Sequence, residues 1–300
     1  MPRLTAIVLG SAAGGGVPQW NCSCPVCRLA WAGDPRVRPR TQTSIAISAD
    51  GARWTLLNAS PDLRSQISVT PALQPTGLRV SPIEAVVLTG AEIDQVAGLL
   101  HLREMHPFAL HGTAAVLDIL AKNSLFGALA AGTVARKTVR PGVSFELPGG
   151  LAAQVFPVPG KTPLYLESGE PRIFGDSGPN VGIEVRAAGA RFVFVPGAAQ
   201  VTLAMQDRMQ AADVVCFDAT LYDDDEMIAA GVGTKSGLRM GHMPIDGEEG
   251  SLAALAHIHA RRVYIHLNNT NPVLVEDSPA RKRVEEAGFE VAYDGMEIVL

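Results

Sequence analysis

The sequence predicts an α+β protein folded as a four-layer αββα sandwich. Short β-branched runs bounded by Gly, Pro, Asn or Asp recur along the whole chain, and they outnumber the amphipathic stretches in both halves. No low-complexity linker separates the halves. A purely parallel, doubly wound sheet would alternate strands with helices, so two β-rich layers covered by helices fit this pattern better.

In chain order, Leu4–Leu9, Ser44–Ser48, Trp54–Asn58 and Ala85–Leu88 read as strands, followed by helices over Ile93–Met105 and Thr113–Phe126. The second half places strands at Phe145–Leu147, Leu151–Val158, Val181–Val185, Arg191–Val195, Val214–Asp218, Val263–His266 and Val291–Ala292. Helices are expected over Val201–Ala211, Gly250–Ala260 and Ser278–Ala287. Ser278 is a capping side chain directly before a proline at the first helical position. Lys161–Gly178, with its Gly, Pro and charged residues, is expected to be a mobile surface loop.

With 300 residues, 47% apolar and 18% charged, the chain can bury a large core. A net charge of −5 with no Lys/Arg run leaves no footprint for nucleic acid or an anionic membrane, which points to a small soluble ligand. The first apolar run is too short for a signal sequence and is followed by glycines, not a cleavage site. No stretch approaches the roughly 18 apolar residues of a membrane span. A cytoplasmic protein is expected, and a transport channel is not.

Cys22, Cys24 and Cys27 fall within one short segment. Such clustering favours metal binding over a disulfide framework, and soft sulfur donors around a tetrahedral site favour structural zinc. Pro25 helps the backbone turn. Three unrelated thiols on a loop is the plainer alternative. The fourth ligand is left open between the His266–Asn271 segment and a carboxylate. Cys216, inside an apolar run, reads as a buried small hydrophobe.

Other polar residues end apolar runs. Asp94 opens a helix after the strand Val86-Val87-Leu88, where it faces a crevice or is an ordinary helix-start aspartate. Asp218 and His266 close Val214–Phe217 and Val263–Ile265, and ligands lie at the carboxyl ends of strands in open α/β sheets. His242 precedes the Gly250–Ala260 stretch. These residues suit a hard or borderline metal, although a lone histidine is more often structural. The glycines Gly14, Gly15 and Gly16 follow the first strand, but Pro18 and the cysteines occupy the place of a crossover helix, so a dinucleotide fingerprint is excluded. A loop lining the site is the better reading. No G-x-S-x-G elbow occurs.

Taken in order, Leu9–Cys22, Arg40-Thr41-Gln42, Asn58–Asp62, Asp223–Met227 with Gly231–Thr234, Met240-Gly241-His242, Ile265–Pro272 and Tyr293–Met296 resemble the pyrroloquinoline quinone (PQQ) biosynthesis B family. That family is a branch of the metallo-β-lactamase superfamily, and the resemblance implies a single domain of that fold over residues 1–300. The superfamily motif T-H-x-H-x-D-H falls on Thr89–Gln95, with Gly90, Glu92 and Gln95 replacing histidines. Losing the first two histidines removes most of one metal position of the dinuclear hydrolases, while Asp94, Asp218 and His266 match ligands of the other.

A mononuclear site with open positions, His242 serving as ligand or proton donor, suits Fe(II) and oxygen activation. The resemblance implies hydroxylation of the tyrosine-derived part of a cross-linked Glu–Tyr precursor. Arg40, Arg64 and the amides of Gly14–Gly16 would hold its carboxylates. Other PQQ-pathway proteins are expected partners. The alternative is a non-catalytic carrier of PQQ or its precursor toward the periplasm, and residual phosphodiesterase activity is a third reading.

Overall fold

The computed structural model describes residues 3–168, 173 and 179–300. Among the described residues, fourteen strands form two seven-stranded sheets. The first contains β1 (Thr5–Gly10), β2 (Ser44–Ser48), β3 (Trp54–Leu57), β4 (Ile83–Val87), β5 (Phe108–Gly112) and β6 (Val134–Thr138). The second contains β7 (Ser144–Leu147), β8 (Leu151–Pro157), β9 (Val181–Ala187), β10 (Ala190–Val195), β11 (Val214–Asp218), β12 (Arg261–Ile265) and β13 (Phe289–Val291). The last strand, β14 (Glu297–Val299), returns to pair antiparallel with β1. The orders are β14-β1-β2-β3-β4-β5-β6 and β13-β12-β11-β10-β9-β8-β7.

The two sheets share one scheme. Antiparallel pairs run through β14, β1, β2 and β3, and parallel pairs through β3, β4, β5 and β6. Likewise β7 to β10 are antiparallel and β10 to β13 parallel. The likeness of the two halves seen in the sequence is therefore a likeness of topology.

Successive strand side chains point to opposite faces, and here both faces are covered. Ala6, Val8, Ile45 and Ile47 of the first sheet meet Val155, Ile183, Phe192 and Phe194 of the second. Their neighbours Ile7, Leu9 and Ala46 face outward onto helices, and so do Val193, Val195 and Phe217 of the second sheet. Burial on both sides explains why these strands read as continuous apolar runs. The covering helices are α1 (Pro25–Trp31), α2 (Leu63–Val69), α3 (Ile93–Val96), α4 (Ala114–Ala121), α5 (Leu203–Gln210), α6 (Glu226–Ala229), α7 (Gly237–Met240), α8 (Ser251–Ala254) and α9 (Pro279–Glu286). Leu63, Val96 and Leu120 pack on the first sheet, and Met205, Met209 and Val284 on the second. The expected four-layer αββα sandwich is the observed architecture.

Several elements differ from expectation. Ile93–Met105 is one α turn, α3, continued as a 3-10 helix over Ala97–Leu102. Thr113–Phe126 divides into α4, capped by the Thr113 hydroxyl on Val116 N, and a 3-10 turn at Ser124–Ala128. Gly250–Ala260 is helical only over α8. β5, β6 and β14 were not expected as strands. β6 shows why: past Val134 it is exposed and carries Arg136 and Lys137, the charged composition by which sheet edges avoid further pairing. The predicted cap of α9 forms, with Ser278 Oγ accepting from Arg281 N at 3.0 Å.

Of the expected loop Lys161–Gly178, residues 169–172 and 174–178 lie outside the described residues. Its first part is anchored. Leu164 N donates to the Glu92 carboxylate at 3.2 Å and Tyr165 Oη donates to Ala91 O at 2.8 Å. Cys216 is fully buried, which pushes its thiol up to about 12. Among the described residues no helix is long and apolar enough to cross a membrane.

Candidate metal centre

The parallel strands β11 and β12 deliver Asp218 and His266 side by side at their carboxyl ends. Asp218 is fully buried. Its Oδ2 accepts from Ala198 N at 3.1 Å and from His242 Nδ1 at 2.7 Å, and its Oδ1 accepts from the Thr220 hydroxyl at 2.6 Å. His266 has a φ of 64°, a left-handed turn that ends the strand and directs the ring into the site. The next residue is stitched to the loop after β1 through Leu267 N to Ser11 O at 3.0 Å and Ala13 N to Leu267 O at 2.8 Å. This brings Gly14 to the wall of the site.

Asp94 arrives from the other sheet, in the first turn of α3. Its Oδ2 lies 2.8 Å from His266 Nε2. The opposite ring nitrogen, Nδ1, bonds to Thr220 Oγ1 at 2.8 Å and lies 3.6 Å from Asp218 Oδ1. Bonded on both nitrogens, the ring is held as an imidazolium: burial opposes the charge, but the two carboxylates outweigh it and push His266 up to about 10. The carboxylates answer in kind. Burial favours their neutral forms, yet the imidazoles hold Asp94 and Asp218 below the usual carboxylate range.

His242 follows Gly241, whose φ of 89° closes α7, and its ring stacks on His266 with centroids 5.3 Å apart. Ligand atoms of Asp218, His242 and His266 all lie within 4.8 Å of one another. All three members of the expected trio, Asp94, Asp218 and His266, meet at this site. Asp94 meets the ring nitrogen of His266 that faces away from Asp218, and His242 joins Asp218 and His266 in the close group. Two imidazoles and a carboxylate in a buried cluster match the donor set of a borderline divalent metal, which would replace the protons now shared between them.

Sequence reasoning missed Thr220. Its single hydroxyl donates to Asp218 and accepts from Nδ1 of both histidines, at 3.0 Å for His242 and 2.8 Å for His266. The available signal was its place two residues beyond a strand-terminal aspartate. Lys161 was also missed. Only 8% exposed, its Nζ lies 2.8 Å from Glu167 and 3.1 Å from Glu92, and it lines the pocket above the cluster. That pocket holds about 410 Å³ and has Leu164, Met227 and Met240 on its walls.

The place of the missing histidines is filled. A Cβ on Gly90 would stand 2.4 Å from Gln95 Oε1 and 3.1 Å from Asn180 Oδ1. Gln95 Oε1 instead accepts from Glu92 N at 3.1 Å, one half of a capping box on α3. The Thr89 hydroxyl is bound to Asn58 at 2.9 Å.

Of the expected substrate contacts, Gly14 lines the pocket. Gly15 and Gly16, at φ of 97° and 72°, shape the loop, but their amides already donate to Gln42 Oε1 and Ala13 O, both at 3.1 Å. Arg40 does not face the pocket. Its backbone pairs with Val17, while its guanidinium turns away to Ser11 Oγ at 3.2 Å and to the Ala292 carbonyl. Arg64 lies on the exposed face of α2.

Cys22, Cys24 and Cys27 bring their sulfurs within 4.8 Å of one another. Cys24 Sγ caps α1 by accepting from Cys27 N at 3.4 Å, and Pro25 starts the helix. From the segment flagged in the sequence, Asn269 meets the cluster: its side-chain amide lies 3.1 Å from Cys22 Sγ and 3.3 Å from Cys27 Sγ. His266 and Asn269 share one loop, so the thiol cluster and the pocket are mechanically joined. Glu226 secures that loop from outside by accepting from the Thr270 hydroxyl, and burial pushes its carboxyl up to about 7.

A family model described as "Beta-lactamase superfamily domain" matches residues 53–266. The coenzyme PQQ synthesis protein B of Methylobacterium nodulans is 55% identical over 299 residues, covering 99% of this chain and all of that protein. The crystal structure of Zn(2+)-bound PqqB from Methylobacterium extorquens superposes with a TM-score of 0.97 at 52% identity, over 99% of this chain and 100% of that one. A diphosphatase from the PhnP family aligns with a TM-score of 0.71 at 19% identity, over 99% and 97% of the two chains, and shows the shared fold alone.

Proposed function

The chain belongs to the coenzyme PQQ synthesis protein B family of the β-lactamase superfamily, and on that premise we propose that it is a metal-dependent hydroxylase acting on the tyrosine-derived part of the cross-linked Glu–Tyr precursor. The observation that carries this reading is the close group Asp218, His242 and His266 beneath a pocket of about 410 Å³, beside a first metal position closed by Gln95. One ion with open coordination positions suits a redox metal better than the paired ions of a phosphoesterase. Iron held there would supply dioxygen activation.

The chain's own residues do the rest. Leu164, Met227 and Met240 offer apolar walls to an aromatic ring and exclude water from it. His242, the more open of the two imidazoles at 20% side-chain exposure, is placed to hydrogen-bond the phenolic oxygen with its outer ring nitrogen. Thr220 fixes both rings, and the Lys161–Glu92–Glu167 pairs hold the wall from which Leu164 projects.

Zinc is the ion proposed for the cysteine site, supported by its three soft donors and by the Zn(2+)-bound relative. Asn269, turning its amide oxygen inward, is the proposed fourth donor.

The test is anaerobic reconstitution with Fe(II), then addition of precursor, an external two-electron reductant such as ascorbate and isotope-labelled dioxygen, so that one oxygen atom enters the ring and the other leaves as water. Labelled oxygen in the product, abolished by His266→Ala, is expected. Stoichiometric binding of the quinone or precursor without oxygen uptake would replace the hydroxylase with a carrier.

A further inference from the structure

A second cavity, about 460 Å³, opens between α9, the edge strand β13 and the segment leading into β2. Its walls carry three guanidiniums, Arg38, Arg40 and Arg281, and three carboxylates, Glu276, Glu285 and Glu290. Their pairing is uneven. Arg38 meets Glu276 at 2.8 Å, Arg281 meets Glu285 at 2.6 Å, and Glu290 is engaged by Arg261 at 2.6 Å. Every carboxylate is matched and Arg40 is left over, with no ion pair among the described residues.

Arg40 is 5% exposed, and its Nε is buried without a partner among the described residues. Burial pulls the guanidinium down to about 10; Asp294 opposes the shift, and the charges of Arg281 and Arg38 add to it. Asp294 is reached through the Ser11 hydroxyl, which leaves the guanidinium without a direct ionic partner among the described residues, and an anion entering the cavity would supply one. Tyr293 stands on the same wall, half-exposed, with the Arg38 guanidinium 5.3 Å from its ring centre. Met296 adds apolar surface.

We propose that this cavity is a binding site for a small carboxylate with a flat aromatic body, its carboxylate at Arg40 and its ring against Tyr293. Guanidinium groups suit a carboxylate through paired hydrogen bonds, and the cavity is of the size that small ligands occupy. The site is separate from the metal pocket. Arg40 shares a backbone bridge with Val17 beside the pocket loop, but its side chain leaves on the other side of that loop.

Titration of the full-length protein with benzoate and with phthalate, followed by calorimetry and by competition between the two, tests the assignment. Saturable binding with a Kd on the order of 1 mM or tighter is expected, weakening as salt rises. Arg40→Met should weaken it by about tenfold or more, and Arg281→Gln and Tyr293→Ala by a few-fold each, as loss of one charged or stacking contact implies. His242→Ala should leave it unchanged. Should Arg40→Met fail to fold, Arg281→Gln and Tyr293→Ala decide the matter. No saturation, equal affinity in those two variants, or loss of binding in His242→Ala overturns the proposal.

Discussion

Asp94 and His266 are 172 residues apart in sequence and meet at 2.8 Å, Oδ2 to Nε2, across the junction of the two sheets. The contact joins a four-residue helix on one sheet to the end of β12, the strand next to the edge of the other. Asp218 and Asp94 together hold the imidazole charged, and the pair is largely shielded from water.

Removing one partner should therefore cost more than a surface pair would. His266→Ala leaves two acidic groups without their shared imidazolium, and breaking a buried pair from one side costs about 3–5 kcal/mol. Asp94→Asn keeps the shape and a hydrogen bond, so its effect on metal-free stability should be small. Its effect on metal affinity should be larger, about 10–100-fold, as for other residues that orient a ligand. Denaturant melts and metal titration of both variants measure the two effects. Equal losses of stability would sink this account.

The closed first metal position makes a second prediction. Gly90→His alone should bind no additional metal ion, because Gln95 already fills the space beside Gly90. Gly90→Ala must push the Gln95 amide aside and break its half of the capping box, a loss of about 0.5–2 kcal/mol. Metal analysis after dialysis, together with cleavage of a generic aryl phosphodiester, checks the first statement. A second bound equivalent in Gly90→His would show that the space is open.

How much of this was legible in the sequence depended on distance along the chain. The cysteine cluster was visible because its ligands lie within one turn, and its fourth neighbour, Asn269, sits 247 residues from Cys22. Asp218 and His266 were visible because each ends an apolar run, and the parallel pairing of β11 with β12 sets them side by side. Arg40 was misplaced for a related reason: chain position puts its backbone at the pocket loop, and only packing decides on which side the side chain leaves. Thr220 carries only the faint signal of standing two residues after Asp218, and its role emerges when three partners converge on it. The α3 helix was overestimated because the apolar pattern continues while the backbone tightens to 3-10 geometry.

Acid should weaken the fold through His111. This residue on β5 is 3% exposed, stacks on Phe145 of the opposite sheet at 5.3 Å, and has no partner at Nδ1 among the described residues. Burial, with Lys137 alongside, lowers its pKa from 6.5 to about 4. A histidine depressed in the fold contributes stability that is complete above 6.5 and is lost as pH falls through 4. The urea midpoint should accordingly drop between pH 6.5 and 4, and His111→Phe should flatten that part of the curve. An identical slope in the variant would remove His111 from the explanation.

The thiol cluster should be felt in the pocket. Cys24 holds the first turn of α1 and faces Asn269, whose loop carries His266 three residues earlier. Occupied by zinc, the cluster would fix one end of that loop, and the bound ion adds stability by mass action, about 2.7 kcal/mol at a concentration 100-fold above its Kd. Chelation or Cys24→Ser should therefore lower Tm by several degrees. Faster amide exchange should appear at Asn268–Asn271 before the central strands β10 and β11 are affected, because a loop released at one end opens locally. Metal affinity at Asp218, His242 and His266 should fall in parallel, since one of its ligands rides on the loosened segment. Exchange that accelerates uniformly across the protein would instead mean that the cluster stabilises the fold as a whole and has no particular hold on His266.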